Sequence, residues 1–436
     1  MKKILLFLVV LVASKLSYSQ LIFPNLDSLI NYSKQHSVAL KTNDFKLSYA
    51  KKARLLAIAN IIVPTANATF NYTNNTKLPV NVFPAEAFGG SLGTFRQVTT
   101  GIQYNSNFNA NAELNVLNLQ TWKNAQLAKL NLENTEIDNK ISEKKLYENI
   151  AATYYNILQL QAQQKTAFET KIAADSLYQI TLNKYQNGNI RIQDVNDAKV
   201  SFLENVENCN QLLFLLQQQY QSLKILCDLK VQDSLFISEV NDNYILRNTI
   251  VFKNELNVNN SIKLQNYAKA NYQNSKYAYM PNVSLFASNS FQQFNTKSTL
   301  LDKNIDWIQS NYIGFKLNVP ILPTSNTMVQ MAKAKYDFQV AQKNAEHAKL
   351  ESEINYQQLK IELDKTVSQA LTNKSIWLAR KDSYQKNLEL YKSGIIGLDQ
   401  TLKSFNAMVS SEYNYIISNI SIMHIDSKIE INNRIK

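Results

Sequence analysis

The side chains that most often carry catalysis or bind metals are few and scattered in this sequence. Its three histidines, His36, His347 and His424, are isolated from one another in segments of helical pattern. Cys209 and Cys227 are the only cysteines, and on one helix they would be about 27 Å apart, too far for a disulfide. Phosphate-binding glycine loops and HExxH, CxxC or nucleophile-elbow motifs do not occur. We therefore expect no enzyme, no cofactor and no metal site.

The pattern that stands out is a glycine turn that occurs twice. The first copy is "KYQNGNIRIQDV", residues 184–195, in a chain with only eight glycines. The second, "LYKSGIIGLDQT", lies 206 positions later and aligns Tyr391 with Tyr185 and Gly394 with Gly188. Two such turns in register predict a duplicated chain.

The proline distribution predicts that each turn joins long helices. No proline lies between Pro84 and Pro281, and none follows Pro323. Because helix interiors exclude proline, we expect helices over about 119–185 and 327–391, each about 100 Å long. Each turn is followed by an apolar stripe with coiled-coil spacing, in which both cysteines are small core residues. The stripes are Val195, Ala198, Phe202, Val206, Cys209, Leu213, Leu216, Tyr220, Leu223 and Cys227, and Leu402, Phe405, Val409, Tyr413, Ile416, Ile420 and Met423.

Four other segments alternate with a period of two, at about 66–74, 100–116, 282–292 and 312–319. In the longest, apolar residues share one face and asparagines share the other. A soluble sheet with one buried face alternates similarly, but the unbroken asparagine face favours a barrel around water with its apolar face toward lipid. Each half then reads helix, strand, loop, strand, long helix, tight turn, long helix. The halves are residues 20–232 and 251–436, joined by a connecting segment at 233–250.

The N-terminus predicts export. Lys2 and Lys3 precede the apolar run "ILLFLVVLVA", which is too short to span a bilayer, and small residues precede Gln20. Residues 1–19 are therefore predicted to be a signal peptide. The net charge of +12 is scattered along the chain rather than clustered with aromatic residues, which argues against nucleic-acid binding.

On these residues the chain resembles the TolC family of outer-membrane efflux proteins. The motifs on which the resemblance rests are, in chain order, "YQNGNIRIQDVNDAK", "MPNVSL", "LNVP" and "SGIIGLDQ", together with their duplication. The resemblance implies a mainly α fold: long coiled-coil helices form a trimeric periplasmic α-barrel, and four strands per chain form a 12-stranded β-barrel. It implies a homotrimeric channel with porin activity in outer-membrane lipid, extending into the periplasm. Its implied partners are a periplasmic adaptor and an inner-membrane pump of RND, ABC or MFS type, without a cofactor or nucleic acid.

The resemblance also implies two sets of site residues. The implied adaptor-contact tips are Asn187, Gly188, Asn189, Ser393, Gly394 and Ile395. The implied periplasmic constriction comprises Asp194, Asp197, Tyr391, Asp399, Gln400 and Lys403. One member of the family has ring aspartates where this sequence has Gln400 and Lys403, so Asp197 and Asp399 are the candidates to replace that charge. The alternative interpretation is structural: helix C-capping for the glycines and N-capping for Asp194 and Asp399.

The second interpretation of the whole chain is an exported coiled-coil structural or adaptor protein without a membrane barrel. Such an adaptor needs a lipoyl-like or β-barrel domain between its hairpin arms, and residues 229–250 are too few to hold one. The exported substrate, the particular pump and adaptor, and the gating remain open at this point.

Overall fold

The computed structural model describes residues 20–237, 255–298, 306–322 and 324–435. The predicted signal peptide and most of the predicted connecting segment lie outside these residues. The helices are α1 (Leu26–His36), α2 (Val38–Ile62), α3 (Leu119–Gln186), α4 (Ile192–Leu226), α5 (Glu255–Tyr277), α6 (Ser325–Lys392) and α7 (Leu398–Arg434). The strands are β1 (Gln20–Phe23), β2 (Thr65–Asn74), β3 (Val80–Pro84), β4 (Phe95–Thr99), β5 (Tyr104–Leu117), β6 (Ser234–Ile237), β7 (Asn282–Asn295) and β8 (Ile308–Asn318).

The two longest helices, α3 and α6, contain 68 residues each and lie within two residues of their predicted ends. A polar side chain caps the N-terminus of each of these helices. The Asn118 Oδ1 accepts a hydrogen bond from the Thr121 N–H at 3.1 Å, and the Thr324 Oγ1 accepts one from the Thr327 N–H at 3.3 Å. These caps satisfy backbone donors that have no partner within the helix. None of the helices in the described ranges combines the length and apolar character needed to span a membrane.

The chain divides into two compact units. The strand unit comprises residues 48–134 and 263–343, and the helical unit comprises the remaining segments. In the strand unit, an antiparallel sheet has the order β2-β5-β7-β8. Among the described strands, β2 and β8 each have one neighbour in this sheet, so both edges of the sheet are open.

The sheet has a polar and an apolar face, as the alternation predicts. One transverse row pairs Asn67, Asn111, Ser288 and Tyr312, and the adjacent row pairs Ala66, Ala112, Ala287 and Ile313. On the polar face, the Ser288 hydroxyl donates to the Asn109 Oδ1 at 3.2 Å and the Ser290 hydroxyl to the Asn107 Oδ1 at 3.1 Å. On the apolar face, Ile313 is 85% exposed and Phe315 is 75% exposed. Such large exposed apolar side chains indicate a face that another apolar phase covers.

Strand β5 begins at Tyr104, four residues after its predicted start. Gly101, at φ +98°, lies in a bend just before the strand, so the chain is not extended there. Residues 75–99, predicted only as a long loop, contain the antiparallel ribbon β3–β4 around a 3₁₀ turn at Ala85–Phe88. The Phe83 and Phe88 rings pack edge to face at 6.0 Å, and the Arg96 guanidinium lies 5.7 Å from the Phe88 centroid. The excursion is therefore an ordered element.

The core of the helical unit gathers side chains from distant parts of the sequence. Strands β1 and β6 pair in parallel, so that Phe23 and Ile237 join Leu29 of α1 in one cluster. That cluster continues along α3, α4 and α7. Cys227 is fully buried in it, and burial raises the pKa of its thiol to about 11. Both cysteines are free thiols, as predicted.

Candidate functional site

The two glycine turns have the same backbone geometry. In the α3–α4 turn, the Gly188 N–H donates to the Tyr185 carbonyl at 2.8 Å and the Asn189 N–H to the Lys184 carbonyl at 2.9 Å. In the α6–α7 turn, the Gly394 N–H donates to the Tyr391 carbonyl at 3.1 Å and the Ile395 N–H to the Leu390 carbonyl at 2.9 Å. Each pair is a Schellman motif, which ends a helix on a left-handed residue. The duplication seen in the sequence is thus a duplication of structure.

The turn glycines are required by backbone conformation and not by crowding. Gly188 has φ +72° and Gly394 has φ +77°, a region that L side chains rarely adopt. A Cβ built at either glycine meets no atom within 4 Å. All six predicted tip residues are exposed: Asn187, Gly188, Asn189, Ser393, Gly394 and Ile395. The turns are therefore open surfaces that a partner can reach.

A buried tyrosine ties the two helix pairs together behind these tips. Tyr391 of α6 is 2% exposed, and its hydroxyl lies 3.0 Å from the Thr181 hydroxyl of α3. The Lys184 ammonium lies 4.1 Å from the Tyr391 ring centroid and donates to the Tyr391 carbonyl. Desolvation raises the pKa of Tyr391, so this hydroxyl stays neutral. The apolar part of the contact is formed by Leu177, Ala198 and Leu398.

Asp194 lies in the first turn of helix α4. Its carboxylate accepts a hydrogen bond from the Arg191 backbone N–H at 3.2 Å, and its own N–H donates to the Arg191 carbonyl at 3.2 Å. The Tyr391 hydroxyl is bonded to Thr181 and not to Asp194. Asp194 therefore has a structural role at the start of α4, but from the third helical position, whereas the N-cap residue is Arg191.

The second group of predicted constriction residues lies at the start of α7. The Lys403 ammonium is 2.8 Å from the Asp399 carboxylate, and the two side chains are 76% and 81% exposed. Gln400 and Asp197 are also exposed. Lys403 thus offsets the charge of Asp399 within the same helix turn, while Asp197 remains as an exposed carboxylate near α4's start. The assignment of these residues to a constriction stays a prediction.

Sequence reasoning missed Thr181 and Lys184 as site residues. Thr181 is fully buried and its hydroxyl also donates to the Leu177 carbonyl at 2.8 Å, a local bond that many helical threonines make. Lys184 opens the first turn motif, but only the packing of α3 against α6 shows that its ammonium reaches Tyr391. No spacing in the sequence points to a contact across 207 positions.

Comparison with known proteins shows what this arrangement resembles. The family model described as outer membrane efflux protein matches residues 80–227. No curated protein matches. Among solved structures, the outer-membrane protein VceC from Vibrio cholerae is 15% identical, with a TM-score of 0.73 over 93% of this chain and 94% of that one. CusC is 14% identical, with a TM-score of 0.74 over 93% and 91%.

A third similar structure is the open state of the MtrE outer-membrane channel from Neisseria gonorrhoeae. It is 13% identical, with a TM-score of 0.72 over 94% of this chain and 88% of that one. The matched family and folds are those of channels and not of enzymes. Together they confirm the predicted resemblance to the TolC family of outer-membrane efflux proteins and the predicted fold class.

Proposed function

We propose that three copies of this chain form a channel-tunnel that carries substrates from an inner-membrane pump and a periplasmic adaptor through the outer membrane. The observation that carries the proposal is the two-faced sheet with open edges at β2 and β8. Unpaired edge strands are prohibitively costly in lipid, and four strands are too few to close a barrel. Three copies supply twelve strands, which is enough.

The sidedness of the sheet supports the same assembly. Its asparagine and serine face suits a water-filled interior, and its exposed apolar face, with Ile313 and Phe315, suits lipid. The helices also leave large apolar side chains exposed, including Leu203 at 52% and Phe214 at 62% on α4. Neighbouring chains of an α-barrel would cover such positions.

The turn residues are proposed as the contact with the adaptor. They are exposed, their backbone is fixed by two hydrogen bonds in each turn, and the same geometry occurs twice per chain. A homotrimer would present six such turns. Which pump supplies the cargo, and whether it is of RND, ABC or MFS type, depends on the partner proteins.

The experiment that tests the proposal is single-channel recording on the purified mature protein in planar bilayers. We expect discrete conductance steps from heat-modifiable trimers taken from the outer-membrane fraction. A protein that stays soluble without detergent and produces no steps would instead support the exported coiled-coil interpretation.

Loosening the Tyr391 tie is expected to raise channel opening. Tyr391→Phe removes the hydroxyl bonded to Thr181, and Lys184→Met removes the ammonium over the ring. A hydrogen bond of this kind contributes about 1 kcal/mol, so the combined variant should shift a closed-to-open equilibrium about tenfold or more. The measurement is the open probability in planar bilayers. Tyr185→Phe is the matched control, because Tyr185 is the repeat equivalent and is 40% exposed; an equal effect of both would contradict the tie.

Ion selectivity at the tips is expected to be weak. The Asp399 charge is offset by Lys403, and the Asp194 carboxylate caps α4. Reversal potentials in a salt gradient should therefore show a small cation preference that changes little in Asp194→Ala. Strong cation selectivity that Asp194→Ala abolishes would show instead that Asp194 forms an anionic ring.

A further inference from the structure

The polar face of the sheet contains an aromatic pair among its amides. The Phe286 and Tyr312 rings meet edge to face with centroids 5.9 Å apart. Phe286 pairs with Gly314, and a Cβ at Gly314 would lie 2.7 Å from the Phe286 Cζ. The Phe286 ring therefore occupies the space where a β8 side chain would otherwise stand. Tyr312 is 55% exposed beside it.

A carboxylate lies in the same transverse row as Phe286, and Tyr312 lies in the next row of the polar face. Glu113 of β5 pairs directly with Phe286 in the register, and directly paired residues have Cβ atoms about 4.5–5.5 Å apart. Glu113 makes no ion pair with any residue in the described part of the chain, and its backbone carbonyl accepts a hydrogen bond from the Thr65 hydroxyl at 3.1 Å. A carboxylate without an ion pair in the described residues thus lies beside Phe286, whose ring in turn contacts Tyr312.

A positive charge lies on the same face, in the row next to that of Glu113 and Phe286 and on the side away from Tyr312. Lys316 pairs with Ser284 and is exposed. Within the described strands, Glu113 and Lys316 are the charged residues of this face, and its remaining positions are mostly asparagine, serine and threonine. The face therefore has one site where charge and aromatic rings coincide.

We propose that the cluster of Glu113, Phe286 and Tyr312, on two successive rows of the polar face, is a transit site for aromatic organic cations, a substrate class of the channel. The inference rests on the proposed function, since it requires the polar face to line the conduit. A cation is attracted both to the carboxylate and to the faces of aromatic rings, while its apolar body contacts the rings. An aromatic anion of the same size gains the ring contact but is repelled by Glu113. The positive charge of Lys316, in the next row of the same face, repels the cation and weakens its binding.

The test measures how strongly benzyltrimethylammonium blocks the current through the reconstituted channel. The cation is added to the compartment that the connection between β2 and β5 faces. Benzenesulfonate, similar in size and opposite in charge, is the matched probe. We expect the cation to block at a concentration about tenfold lower than the anion. Glu113→Gln and Phe286→Leu should each raise the blocking concentration of the cation about tenfold, and Lys316→Met should lower it. Ser310→Ala, on the same face outside the cluster, should leave the blocking concentration unchanged.

The variants distinguish this inference from the proposed function. Phe286→Leu keeps an apolar side chain over Gly314, and Glu113→Gln keeps the shape of the side chain. Both variants should therefore still form channels, and either one that does is enough to test the transit site. Channels that conduct but are blocked equally by both ions, or whose block is unchanged in the variants, would overturn the transit site and leave the export function standing. A chain that forms no channels would overturn both.

Discussion

Arginine at both turn glycines, Gly188→Arg with Gly394→Arg, is expected to abolish export while trimers still accumulate in the outer membrane. A non-glycine residue in the left-handed region costs about 1–2 kcal/mol, which a long helical unit can tolerate. A Cβ at either position points into open space, so the new side chains would extend from the tips without disturbing the core. They would instead occupy the surface that the adaptor is proposed to contact. The measurements are cargo export in cells and the trimer content of outer-membrane fractions.

The control for this variant separates backbone strain from steric exclusion. Asparagine tolerates the left-handed region better than other non-glycine residues, so Gly188→Asn with Gly394→Asn should retain most export. Unimpaired export in the arginine variant would remove the docking assignment. Loss of trimers in the arginine variant alone would mean that the turns act in folding rather than in contact with a partner.

Lysine on the apolar face of the sheet, Ile313→Lys, is expected to prevent assembly in the outer membrane. Ile313 is 85% exposed, and a lysine facing lipid near the middle of a bilayer costs about 2–4 kcal/mol, incurred once per chain in a trimer. The measurement is the amount of heat-modifiable trimer in outer-membrane fractions.

Ser310→Lys is the matched control on the same strand. Ser310 lies on the polar face, in the row of Thr69, Asn109 and Ser290. A lysine there would face the proposed water-filled conduit, and trimers should form at normal levels. Equal loss of trimers in both variants, or in neither, would contradict the assignment of the two faces.

The long helices and the sided strands could be predicted because each is encoded locally. The proline-free tract after Pro84 and the left-handed Gly188 set the end of α3, and the period of two in Ala66–Thr73 sets the faces of β2. The coiled-coil stripe of α4 was also readable, with Val195, Ala198 and Leu223 buried. Leu213 is the exception at 41% exposed, a position that a neighbouring chain would cover.

The features that sequence reasoning missed depend on contacts between distant residues. The β1–β6 pair joins strands of only four residues, too short to show a period. The β3–β4 ribbon was concealed within a loop rich in proline and glycine, although "VNVF" alternates weakly. The Tyr391 tie requires α6 to pack on α3, which no local pattern specifies. Local periodicity therefore predicts the helices and strands of this chain, whereas the contacts between distant residues are seen only once those elements are packed together.

The number of chains that share one barrel is tested most directly by the mass of the detergent-solubilised particle, measured by light scattering with the detergent contribution subtracted. We expect three mature chains per particle, converted to single chains only on heating in denaturant. A single-chain particle that is stable in detergent would contradict it, because the open edges of β2 and β8 would then persist in a membrane without a partner strand.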